Sequence, residues 1–84
     1  MYLALELRYE IETALEAATQ ADRDELRVVV RLDDWQRDGG IAYPTGAVKT
    51  VLDALRRSNE AELEEALPHG STEELRRRVR DRVG

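Results

Sequence analysis

The chain has 84 residues, a formal net charge of −5 and a 42% hydrophobic content with no Phe and no Cys. That length sets a single small domain spanning residues 1–84 whose core is marginal, so burial against a partner, most simply a homodimer, would repair the deficit. The missing cysteines exclude disulfides and thiolate zinc sites and are compatible with a cytoplasmic setting.

No apolar run approaches the length of a membrane span, and no basic stretch followed by an apolar one marks a signal peptide at the N-terminus. The acidic balance argues against general nucleic-acid binding, but the charge is uneven. Residues 71–84 carry five Arg against Glu73, Glu74 and Asp81, so this end is basic and residues 1–70 hold the acidic excess.

Residues 2–20 read as a helix, because the stretch is rich in Ala, Leu and Glu and places Ala4, Leu7, Ile11, Ala14, Leu15 and Ala18 on one side. Its near a/d spacing through Ala21 fits either the domain's own core face or a self-association seam. A polar break follows at Gln20–Arg23. Leu26, Val28, Val30 and Leu32 then alternate as a strand would, and Asp38-Gly39-Gly40 before Ile41 and Tyr43 is a hairpin signal. The rival is a helix over 24–37 with Gly39 just past its end. Three consecutive valines favour the strand. The predicted fold class is therefore mainly α, with α+β as the variant: a small helical bundle with a short β-hairpin near residues 26–43.

After Pro44 three helices are expected. Residues 46–57 put Val48, Val51, Leu52 and Leu55 within about one hundred degrees of arc. Asn59 with Glu62 has the form of an N-cap signal for a short helix that ends at Pro68. Ser71 with Glu74 is a capping box, and Leu75, Val79 and Val83 form a narrow stripe to the end of the chain.

The chemistry-bearing patterns are thin. Asp34-x-Gln36-x-Asp38-Gly39 imitates the start of a calcium loop but has Thr45 where a bidentate Glu belongs. His69, the single histidine, sits in a Pro-His-Gly turn with no nucleophile pattern beside it. No catalytic residue, cofactor or metal site is predicted. Arg76 and Arg80 flank the Leu75/Val79/Val83 stripe, an arrangement typical of helix–helix interfaces, and Trp35 and Tyr43 supply candidate aromatic anchors.

The expectation is a non-enzymatic protein-interaction or regulatory module that self-associates, with an unidentified protein as its partner. One alternative is a helix-turn-helix over 59–83, in which Arg76, Arg77 and Arg80, with Arg78 as a further candidate, meet nucleic acid. A further one is an acidic, phage-type inhibitor.

From Tyr43-Pro44 onward, the order of a Val/Leu helix, Leu67-Pro68 and a Ser71-capped last helix resembles a family of small acidic bacterial and archaeal domains of unknown function. The resemblance spans residues 43–79. It implies a compact helical module, without an activity or site residues.

Overall fold

The computed structural model describes residues 2–29 and 46–84, arranged as four helices: α1 (Tyr2–Ala17), α2 (Gln20–Val29), α3 (Gly46–Leu63) and α4 (Ser71–Val83). Leu7, Ile11, Ala14 and Leu15 recur at helical spacing along α1 and are buried against α3, where Val48, Val51, Leu52 and Leu55 supply the facing stripe. Across the open side of this pair lies α4, in contact with α1, α2 and α3. Mainly helical character is as expected. Among the described residues no helix is long and apolar enough to cross a membrane.

The break after α1 comes earlier than the periodicity predicts, because Thr19 and Asp22 form a capping box. Thr19 N–H donates to Asp22 Oδ2 at 3.0 Å, and Asp22 N–H donates to Thr19 Oγ1 at 3.1 Å. The polar stretch read as a break, Gln20–Arg23, is thus the first turn of α2.

The expected β-hairpin near residues 26–43 is corrected in its first part, since Leu26–Val29 are helical. The remainder of that hairpin, 30–43, lies outside the described residues. A helix and a strand sort these side chains differently. Leu26 and Val29 go into the core and Val28 goes out, 61% exposed, whereas a strand would have put Leu26 and Val28 on one face. Helix propensity penalises each valine by well under about 1 kcal/mol, and tertiary bonds outweigh that. Arg23 and Arg27, one turn apart, both reach the C-terminus of α4. Arg23 donates to the Arg82 carbonyl at 3.1 Å, and Arg27 donates twice to the Val83 carbonyl, at 2.7 and 3.1 Å. Helical spacing sets the two guanidinium groups on one side, one turn apart, close enough to reach neighbouring carbonyls of α4.

Two helices, not three, follow Pro44. Asn59 lies inside α3, which runs unbroken to Leu63 with Ser58 and Ala61 buried. A Schellman turn ends it. Glu65 adopts the left-handed conformation (φ 61°), Ala66 N–H bonds the Ala61 carbonyl at 2.7 Å, and Glu65 N–H bonds the Glu62 carbonyl at 3.1 Å.

The start of α4 also departs from the Ser71–Glu74 capping box. Gly70 precedes the helix at φ 92° with no side-chain cap of its own, and Ser71 Oγ turns back to the Pro68 carbonyl at 2.6 Å. Glu62, from the last turn of α3, takes the role instead. Its carboxylate accepts Thr72 N–H at 2.9 Å and Gly70 N–H at 3.1 Å. Beneath it the Ser58 and Thr72 hydroxyls pair at 3.0 Å, which satisfies both in a buried position.

These donors, Thr72 N–H foremost and then Gly70 N–H, hold the Glu62 carboxyl below its ordinary value of 4.5. A depressed folded-state value means the stabilisation is complete above the unfolded value and is lost as pH falls through the folded one. Glu62→Gln should therefore unfold more easily than the parent by about 1 kcal/mol at neutral pH, the usual worth of a cap. That difference should close on acidification below the ordinary carboxyl range. Urea midpoints of both proteins across that range test it, and a gap independent of pH would reject the charged cap. Glu65→Gly should stabilise by about 0.5–1 kcal/mol, since only the left-handed strain is removed; a lowered melting temperature would contradict that conformation.

Candidate interaction surface

The structure divides the sequence-predicted contact residues into three groups. Trp35 and Tyr43 lie outside the described residues. Leu75, Val79 and Val83 are in the chain's own core, at 7%, 0% and 4% exposure. They cannot meet a partner while α4 stays docked. The narrow stripe read as an interface is the face that closes the bundle.

Arg76 and Arg80, the third group, are half-buried and share Glu73, with contacts of 3.2 and 3.4 Å. Two further arginines of this helix are also engaged. Arg78 lies 3.4 Å from Glu12 of α1, and Arg82 binds the second oxygen of the same carboxylate. Glu74 of α4 meets Arg8 of α1 at 3.5 Å. Arg77 is exposed and has no ion-pair partner among the described residues. The α1–α4 surface is therefore a lattice of both signs around an open groove of about 610 Å³, lined in part by Arg8, Glu12, Arg77 and Arg78.

His69 is fully exposed in the α3–α4 turn, its Nδ1 3.6 Å from Glu62. Among the described residues no group of three or more His, Asp or Glu is placed to hold a metal ion.

A different surface stands open on the other side of α1. Tyr9, Thr13 and Ala17 follow one another every four residues, and with Ala14 they form one wall of a groove of about 500 Å³. The first turn of α3 supplies the other wall through Gly46, Ala47 and Thr50. Glu10 and Asp22 stand in the lining, and no Lys or Arg does among the described residues. Arg57 of α3 is bound to Glu10 at 2.8 Å and so ties the two walls together. Tyr9 is 71% exposed, and Leu5, one turn before it, is 57% exposed.

Periodicity alone pointed at the opposite, buried face of α1, where Leu7 and Ile11 sit. The available signal was Leu5 and Tyr9 at i,i+4, an apolar pair set about two hundred degrees from the core stripe. In the sequence it resembled strand alternation with Leu3 and Leu7.

Compared with family models, with curated proteins and with solved structures, the chain matches none.

Val79→Glu distinguishes a core stripe from an interface. A carboxylate at a fully buried site should cost about 3 kcal/mol or more and abolish the cooperative unfolding transition. A variant that keeps its helical circular dichroism and melting temperature, and changes only in molecular mass, would place Val79 at a subunit contact instead.

Proposed function

We propose that the chain is a small, non-enzymatic protein-interaction module that receives a partner segment in the groove between α1 and the start of α3. The observation that carries this reading is Tyr9. Its ring stands 71% exposed in the lining of a groove to which Ala14, Ala17 and Ala47 also contribute. A large amphipathic ring beside small apolar side chains gives a partner both an anchor and a recess, the pairing found at interface hot spots. The concavity is within the size range of ligand clefts, but it is open along its length, which suits a segment of polypeptide better than an enclosed small molecule.

Self-association belongs to the same proposal only through this groove, because the Leu75/Val79/Val83 route would require α4 to leave the core. Nucleic-acid binding through Arg76 and Arg80 has less support. Glu73 would have to be displaced from both, and Glu73 and Glu74 occupy the exposed first turn of α4, the part of a recognition helix that approaches base edges. A cytoplasmic setting rests on cysteine usage alone.

Backbone amide spectra of the labelled protein test the choice of surface. Titration with a pool of helix-forming peptides should shift Tyr9, Thr13, Ala17, Ala47 and Thr50 together, and Tyr9→Ala should remove the response while changing stability by no more than about 0.5 kcal/mol. Shifts confined to α4, produced by mixed DNA and RNA at low salt, would replace this reading with the nucleic-acid one.

A further inference from the structure

Resting on that reading of the groove, we infer that its occupant is a basic amphipathic helix: apolar side chains seated on the Tyr9–Ala17 wall, with Lys or Arg on either flank. The argument comes from the charges that surround an apolar floor. Glu10 and Asp22 line the groove, and no cation among the described residues does. Glu10 is already neutralised by Arg57, whereas the Asp22 carboxylate accepts the Thr19 N–H and has no ion-pair partner among the described residues. Glu6 and Glu16 are exposed on the open face of α1, three residues before and seven after Tyr9, with no ion-pair partner among the described residues. The rim is therefore acidic on both sides of the ring, with charges available to a partner.

The same charges select against a second copy of the chain. A two-fold dimer would press this face against itself, opposing Glu6, Glu16 and Asp22 to their own copies. Juxtaposed like charges are a common means of excluding a wrong partner. The basic face this chain does own, on α4, has most of its arginines committed to Glu12 and Glu73. Seating α4 of one molecule in the groove of the next would be a head-to-tail contact, which builds a ring or a filament instead of a two-fold dimer. Geometry suits a helix. From Tyr9 to Ala17 the wall runs about 12 Å, two turns, so a partner helix crossing it would place an i,i+4 apolar pair against Ala14, Ala17 and Ala47.

Three synthetic sixteen-residue helical peptides provide the test. They share the same leucines at i,i+4 and differ only in flanking residues, all Lys, all Gln or all Glu. Binding to the full chain is read by fluorescence anisotropy, with light scattering on the protein alone. The Lys-flanked peptide should bind about tenfold tighter than the Glu-flanked one at low salt, and that preference should shrink severalfold when salt shortens the screening length to about 4 Å. Glu6→Gln with Glu16→Gln should reduce the preference without altering the melting temperature, and Tyr9→Ala should weaken the Lys and Gln peptides alike.

Equal binding of all three peptides, still dependent on Tyr9, would overturn the basic partner and leave the groove as an interaction site. No binding by any of them at millimolar concentration would overturn both. A doubled mass of the protein alone, abolished by Tyr9→Ala, would seat a second copy in the groove and overturn the choice of partner.

Discussion

The fold depends on how the two ends of α4 are satisfied. A helix presents unpaired N–H groups at its start and unpaired carbonyls at its end, and burial of its middle is stable only if these find partners. In this chain the partners come from other helices. Glu62 of α3 places a carboxylate on the N–H groups of Gly70 and Thr72, and Arg23 and Arg27 of α2 place guanidinium groups on the carbonyls of Arg82 and Val83. Both assignments match the helix dipole, negative charge at the start and positive at the end. With its ends held, α4 can commit Leu75, Val79 and Val83 to the core, which has no large aromatic residue among the described buried positions.

That arrangement accounts for much of the arginine content without a nucleic-acid ligand. Arg23 also donates to the Leu15 carbonyl at 3.0 Å, so one side chain satisfies the ends of two helices. Glu12 collects Arg78 and Arg82, Glu10 takes Arg57, and Glu73 takes Arg76 and Arg80. Pairs of this exposure add little stability individually. Their effect is on availability. An arginine whose guanidinium already lies on a carboxylate must be detached before it can meet a phosphate, and the phosphate's gain is reduced by that amount.

How far the sequence revealed this follows from the range of each interaction. The helices read at 2–20 and 46–57, found as Tyr2–Ala17 and Gly46–Leu63, and the core positions Leu7, Ile11, Val48, Val51, Leu52 and Leu55, were legible because periodic burial is a local signal. The last helix was legible for the same reason, but its role was misread, since a stripe of Leu75, Val79 and Val83 looks the same whether it meets its own chain or another. Val28 and Val29 misled through propensity, and the bonds that make them helical come from Arg23 and Arg27 to a helix more than fifty residues away. Asn59 and Glu62 have the spacing of a cap, and Glu62 is one, but for the helix after it. The groove was legible only through the exposed pair Leu5 and Tyr9. Its two walls are separated by some thirty residues of chain, and they are rich in alanine, which reads in a sequence as ordinary core.

Charge and packing then determine where a partner can meet this molecule. Core closure and helix-end satisfaction engage the basic residues of α2 and all of those on α4 but Arg77, while α1 and α2 retain Glu6, Glu16 and Glu25 on exposed positions with no ion-pair partner among the described residues. An exposed acid repels other acids and is well solvated, so it keeps the surface soluble without filling it. Tyr9 and Leu5 are the large apolar side chains standing among these acids on α1. A monomer gains little from that placement, because ring and methyl groups are mostly exposed to water. An approaching helix gains from both at once: its apolar face dehydrates Tyr9, and its cations approach carboxylates that no internal arginine has claimed.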